Sequence, residues 1–157
     1  MKRLKLYLET SVWNFYFAAD APEKKEATRQ FFEQVKEGKY EIFISEVVFT
    51  EIAHASDEKR KMLLNLIGDY HPARLELTEE VIVLAQKYLD AGVLPTRAVE
   101  DARHAAIATV YEMDALISWN LSHLANLQKM EKINGINLTE GYSKKLELVT
   151  PMEVSHE

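Results

Sequence analysis

Residues 4–11 read Leu4-Lys5-Leu6-Tyr7-Leu8-Glu9-Thr10-Ser11. The first five form a short, mostly apolar strand. The run stops on a carboxylate and two hydroxyls, and a new apolar run begins at Val12 and Trp13. In an open α/β sheet, ligands bind outside the carboxyl ends of the strands. Glu9 at such an end is therefore expected to form one wall of an acidic pocket. Whether that holds depends on finding more strands of the same kind.

Working outward, Val12 to Ala18 carries Trp13, Phe15, Tyr16 and Phe17 and reads as a short helix with Ser11 as its N-cap. Pro22 and Glu23 suit a helix start. From Glu23 to about Lys36, Ala27, Phe31, Phe32 and Val35 keep helical spacing, and Gly38 ends the run. Tyr40 to Ile44 is a second strand. Ser45 caps a helix to about Ala55, and a further helix spans about Glu58 to Gly68. That second helix is apolar around more than half its circumference, as either a well-buried core helix or one with a face against a partner. His71-Pro72 breaks the chain. Leu75 to Leu77 is a brief strand, and Thr78 starts a helix to about Ala91. The next helix runs from about Ala98 to Glu112, and Ala115 to Ser118 is the fourth strand. A helix from about Leu121 to Lys132, a loop over Asn134 to Gly141, a fifth strand at Leu146 to Val149 and a short tail complete the chain.

Short strands thus alternate with helices five times, which calls for α/β architecture: a parallel sheet with helices on both faces. The 157 residues suit a single domain over 1–157. No apolar run reaches the length of a membrane span. The basic start at Lys2 and Arg3 lacks the long apolar core of a signal peptide. With no cysteine, thiolate metal sites and Cys nucleophiles are excluded, and a reducing cytoplasm is the expected location. The net charge of −6 argues against coating nucleic acid with a whole-molecule field, though not against gripping phosphates locally. The five glycines never form a dinucleotide fingerprint or a phosphate loop.

Four positions could carry chemistry. Besides Glu9, Glu51 lies on the helix leaving the second strand. Asp101 sits near the start of a helix built largely from Ala and Ile. Asn120 directly follows the fourth strand, where Ser118 and Trp119 should buttress it. Each is unremarkable singly, since solvated acids are common at strand ends and on helix faces. Together they put three acids and an amide on one sheet edge. Clustered carboxylates repel one another unless a cation sits between them. Mg²⁺ and Mn²⁺ favour such oxygen ligands. His104, one turn from Asp101, is either a core histidine or a group orienting that carboxylate. His123 could flank the same mouth or simply open a helix. Arg97, Arg103, Lys24 and Lys25 are candidates for steering a phosphate backbone.

The strand ending Glu9-Thr10-Ser11, the helix Ser45-Glu46-Val47-Val48-x-x-Glu51, the helix Asp101-x-x-His104-x-Ala106-x-Ala108 and the strand end Ser118-Trp119-Asn120 resemble PIN domain nucleases, VapC-type toxins in particular. The ending Leu148-Val149-Thr150-Pro151-Met152-Glu153-Val154 also resembles that family. The resemblance implies a three-layer α/β/α fold with a parallel five-stranded sheet. It implies Mg²⁺- or Mn²⁺-dependent endoribonuclease activity, with Glu9, Glu51 and Asp101 as metal-binding acids. Asn120 takes the fourth position, often Asp, and Thr10 or Ser11 supplies the hydroxyl behind the first acid. It further implies RNA as substrate, a small antitoxin as partner and a homodimer. Two departures stand out: Glu9 replaces the usual Asp, and Asn120 is neutral, which favours one metal over two. Rival expectations are a binding module with a degenerate site and a phosphoryl-accepting receiver domain. The receiver needs paired acids after strand one and an acceptor Asp after strand three, and Thr78-Glu79-Glu80 stands there instead.

Overall fold

Strand β1 (Leu4–Leu8) lies in the middle of the sheet in the computed structural model, which describes residues 2–120 and 127–155. Successive side chains of a strand point to opposite faces. Leu6 and Leu8 accordingly enter one core and Tyr7 the other, and all three are fully buried. A strand buried on both faces belongs in a parallel sheet covered by helices. Strands β2 (Tyr40–Ser45), β3 (Ala73–Leu75), β4 (Ala115–Ile117) and β5 (Leu148–Val149) complete it in the order β3-β2-β1-β4-β5, every pair parallel.

The order reverses once, and the reversal sorts the helices. Helices α1 (Thr10–Phe15), α2 (Pro22–Lys36), α3 (Glu46–Ile52) and α4 (Asp57–Tyr70) lie in the connections from β1 outward to β3. Helices α5 (Glu79–Asp90) and α6 (Val99–Val110) lead back across to β4, and α7 (Leu127–Thr139) leads on to β5. Parallel crossovers are right-handed, so a change of direction moves the helices to the other face. The cores follow this division. Trp13, Phe31, Phe32, Leu63, Leu66 and Ile67 pack with Leu6 and Leu8, whereas Val81, Leu84, Tyr88, Ala105 and Ile133 pack with Tyr7. Helix α3 contributes Val47 to one core and Val48 and Ile52 to the other, so it sits at the seam. The result is the expected three-layer α/β/α fold, with eight helices among the described residues.

Most helix boundaries follow from local chemistry. Ser45, Ser56 and Thr78 each accept a backbone N–H from the first turn of α3, α4 and α5. Gly38 after α2 has φ +82°, a left-handed conformation that favours glycine.

Of the boundaries that differ from the sequence expectation, four have a physical reason in the contacts. Helix α1 begins at Thr10, because Glu9 and not Ser11 is its N-cap. Strand β3 is Ala73–Leu75 instead of 75–77, its register fixed by pairing of Phe43 with Ala73 and Ser45 with Leu75. Helix α7 runs to Thr139, through the stretch expected to be loop from Asn134. Asn134 bonds both backbone groups of Leu146, and Asn137 is buried with tertiary partners, so long-range bonds override weak helix propensity. The tail forms α8 (Pro151–Ser155). Thr150 accepts the Glu153 N–H while Glu153 accepts the Thr150 N–H, a reciprocal capping box with Pro151 at the first helical position. The expected helix start at Leu121, and His123 with it, lies outside the described residues.

One buried polar link joins the helices over the Tyr7 face. The Tyr88 hydroxyl donates to Asn137 Oδ1 at 2.5 Å, and Asn137 Nδ2 donates to Thr109 Oγ1 at 3.1 Å. Tyr88→Phe leaves the Asn137 oxygen buried without its donor, which costs about 1–3 kcal/mol. Urea unfolding should show the lower midpoint with an unchanged m-value.

Candidate active site

The strand order switches direction at β1, between β2 on one side and β4 on the other. A crevice opens outside the carboxyl ends of the strands at such a point. Glu9 immediately follows β1, and Ser118, Trp119 and Asn120 immediately follow β4. The Glu9 N–H bonds the Ile117 carbonyl at 3.0 Å, continuing the ladder to the mouth of the crevice.

Glu9 is almost fully buried, at 4% exposure. Its Oε1 accepts the Ser11 N–H at 3.1 Å, the Ser11 hydroxyl at 2.5 Å and the Ser118 hydroxyl at 2.8 Å. Those hydroxyls in turn accept the backbone N–H groups of Trp119 and Asn120, at 2.8 and 2.9 Å. Two parallel relays therefore run from the backbone after β4, through Ser11 and Ser118, onto one carboxylate oxygen. The other oxygen, Oε2, has no hydrogen bond among the described residues.

Glu51, from α3, is held in the same manner. Its Oε1 accepts the Thr10 hydroxyl at 2.6 Å and meets His104 Nε2 at 2.6 Å. Behind it, His104 Nδ1 meets the Tyr7 hydroxyl at 2.6 Å, and Tyr7 meets the Ser45 hydroxyl at 2.6 Å. Tyr7, Ser45 and His104 are fully buried. A neutral imidazole satisfies this chain in one direction: Ser45 donates to Tyr7, Tyr7 to Nδ1, and Nε2–H to Glu51.

The electrostatics bind this pair together. Burial by itself would raise the Glu51 carboxyl, but the His104 hydrogen bond and charge, with the Thr10 bond, bring it below its ordinary value. Burial would likewise lower His104. Its bond to Glu51 and the charges of Glu9, Glu51 and Asp101 reverse that, and the net direction is upward. Burial dominates at Tyr7 and pushes its hydroxyl far up, so it stays protonated and able to donate.

The structure brings Glu9, Glu51 and His104 together, with ligand atoms within 4.8 Å of one another. Asp101 lies in the first turn of α6, half-buried, outside that cluster but near enough for its charge to act on His104. His104, which the sequence left open between a core histidine and a group orienting Asp101, is fully buried and bonds Glu51. The two hydroxyls also divide their work: Ser11 supports Glu9, and Thr10 supports Glu51. Asn120 is fixed through its backbone N–H by Ser118. Lys24 lies over the rings of Phe15 and Trp119. Arg97 is exposed, and Lys25 and Arg103 are half-buried.

These residues fit a hard divalent ion. Glu9 and Glu51 are each anchored by one oxygen, and among the described residues no donor reaches the other. Mg²⁺ and similar ions take one or two carboxylates and keep several waters. Both His104 nitrogens are engaged in hydrogen bonds, so His104 backs Glu51. A cavity of about 980 Å³ between α7 and β5 touches this region only at Trp119. Its Leu127, Met130 and Leu138 lining is mostly apolar, and it lacks Glu9, Glu51 and Asp101.

No family model and no curated protein matches the chain. Among solved structures, it is similar to a chain of VapBC2 from Rickettsia felis, crystallised bound to a DNA fragment from their promoter. The TM-score is 0.59 at 15% identity, over 94% of this chain and 98% of that one. The fold is PIN-like. At that identity the likeness carries the arrangement of layers and strands, and the chemistry has to come from the side chains described above.

Sequence reasoning missed Tyr7, Ser45's second role, and the grip of Ser118 on Glu9. Tyr7 was open to discovery, because a tyrosine in a buried strand needs a partner for its hydroxyl. It also precedes Glu9 by two residues and so shares its pleat face.

The His104–Glu51 pair gives the metal-free protein a bounded pH window. His104, raised, contributes stability at low pH that is lost as pH climbs through its folded value, above 6.5. Glu51, lowered, contributes stability above its ordinary 4.5 that is lost as pH falls through its depressed value. In EDTA, the stability gap between the parent chain and His104→Gln should be widest between those limits and narrow on both sides. Denaturant titrations from pH 4 to 9 check this.

Proposed function

We propose that the chain is a Mg²⁺- or Mn²⁺-dependent endoribonuclease of the PIN class, a VapC-like toxin that hydrolyses RNA phosphodiester bonds. One observation carries this reading: a buried and a half-buried glutamate, distant in sequence, meet at the switch point of a PIN-like sheet, each held through one oxygen, with no donor to the other among the described residues. Glu9 and Glu51 would hold the ion, with Asp101 reaching it directly or through its water. When bound, such an ion supplies charge at the phosphate oxygens and acidifies a water for attack. Ser11 and Ser118 keep Glu9 aimed, and Thr10 and His104 keep Glu51 aimed and ionised. Asn120 places the water or the phosphate with its amide. Because Asn120 adds no charge, one ion suits the site better than two. His123 is a further candidate for the mouth, on sequence grounds.

The VapBC2 likeness supports an antitoxin as partner. Exposed Met62 and Leu64 on α4, flanking buried Leu63, Leu66 and Ile67, suit a protein contact there. We further take the enzyme to act in the cytoplasm as a homodimer. No helix among the described residues is long and apolar enough to cross a membrane. The neutral Asn120 supports a second reading, a PIN-like module that binds RNA or a protein partner without cutting.

Single-stranded RNA incubated with Mn²⁺ should be cleaved, EDTA should stop the reaction, and Glu51→Gln or Asp101→Asn should slow it roughly 100-fold or more, as expected when a group of the reacting site is removed. Equal cleavage by all three proteins would point to a contaminant and overturn the proposal. Binding without turnover would favour the second reading. Independently, Mn²⁺ at a hundredfold excess over its Kd should stabilise the parent chain by about 2.7 kcal/mol. Glu9→Gln combined with Glu51→Gln should erase that gain in a thermal-unfolding comparison.

A further inference from the structure

Lys24 is held beside this site in a way that leaves its charge unspent. Its ammonium lies 5.2 Å from the centre of the Phe15 ring and 5.6 Å from the Trp119 ring. Aromatic faces attract a cation through their quadrupole without neutralising it. Elsewhere lysines meet acids: Lys87 with Glu140, Lys144 with Asp114 and Lys145 with Glu147. Among the described residues, Lys24 forms no ion pair, and it is exposed.

The backbone beneath Lys24 is tied to the same tryptophan. Thr28, fully buried, donates its hydroxyl to the Lys24 carbonyl at 2.6 Å and accepts the Trp119 indole N–H at 2.9 Å. Trp119 then donates its backbone N–H to Ser11, whose hydroxyl donates to Glu9. Phe15, the other ring, lies four residues after Ser11 on α1, so the two side chains are neighbours on one helix face. Trp119 therefore fixes Lys24 at both ends and fixes the hydroxyl that anchors Glu9. No other cation–π pair in the described residues shares this link: Arg29 lies over Tyr16, Lys39 over Tyr40 and Arg74 over Phe49.

We propose that Lys24, seated on Phe15 and Trp119, grips a backbone phosphate of single-stranded RNA next to the one being cut. The inference rests on the nuclease reading above. Lys24 forms no ion pair with Glu9 or Glu51, so on this proposal its phosphate is a neighbour of the scissile one. A net charge of −6 and a cluster of acids repel an approaching backbone, and a full positive charge at the mouth offsets this locally. Lys24 is thus a positioning residue and acts on substrate affinity instead of on bond breaking.

The test uses a fluorescein-labelled single-stranded RNA of mixed sequence, with Ca²⁺ replacing Mn²⁺ so that the RNA stays intact. Each phosphate contact on a single strand contributes about 0.7 to the slope of log affinity against log salt. Lys24→Gln should flatten the slope by about 0.7, and Lys24→Arg should restore it. At 0.15 M salt that slope corresponds to roughly fourfold weaker binding. In Mn²⁺, Lys24→Gln should raise KM by a similar factor with kcat unchanged. Lys36→Gln, the same charge change at the far end of α2, should leave slope and KM as they are. If the parent protein binds and cuts RNA but Lys24→Gln keeps the parental slope and KM, the Lys24 proposal fails and the nuclease reading stands. An equal loss in Lys36→Gln also overturns it, since the effect would then be a general field. If the parent protein neither binds nor cuts RNA, both readings fall.

Discussion

A carboxylate buried at the end of a central strand is costly unless its oxygens are hydrogen-bonded. Among the described residues, Glu9 meets that requirement on one oxygen, through the Ser11 N–H, the Ser11 hydroxyl and the Ser118 hydroxyl. This constraint shapes its surroundings. The chain must turn directly into α1 so that Ser11 can reach back. The end of β4 must lie beside β1 so that Ser118 can reach across. Trp119 and Asn120 are then drawn in, because their backbone N–H groups complete the two hydroxyls. A strand end, a helix N-cap and a strand crossing are thereby joined at one atom.

Glu51 obeys the same rule with different parts. Its support comes from below, through the buried line His104, Tyr7 and Ser45 that threads α6, β1 and β2. Moving any one of these elements would leave a polar atom without its partner in the interior. Such networks make demands on geometry that apolar packing does not. The two acids consequently sit at positions set by the fold before any ligand arrives. Trp119 extends the same framework outward to Lys24, so the mouth and the floor of the crevice are parts of one bonded assembly.

Much of this was legible in the sequence, and some of it was not. Alternation of short apolar runs with helical spacing gave the parallel sheet and both helix layers. The abrupt acid at the end of β1 pointed to Glu9, and motif order pointed to Glu51, which the fold brings beside it; Asp101, singled out the same way, lies outside that cluster. The Thr150-Pro151-Met152-Glu153 capping box was readable too, although the expectation was only a tail. Helix α7 was not readable past Lys132, since Asn134, Gly135 and Asn137 argue locally for a loop. Their tertiary bonds to Leu146, Tyr88 and Thr109 decide otherwise.

The sequence by itself determined the class of fold and the strand end at which Glu9 stands. Those follow from period, burial and strand ends, which are local properties. Only the tertiary structure decided which group holds which acid. His104 shares a helix face with Asp101 yet bonds Glu51, and Lys24 on α2 is stationed by a tryptophan that follows β4. A hydrogen bond depends on distances of a few tenths of an ångström between elements far apart in the chain. Those distances are set by how the layers pack, and no local pattern of residues records them.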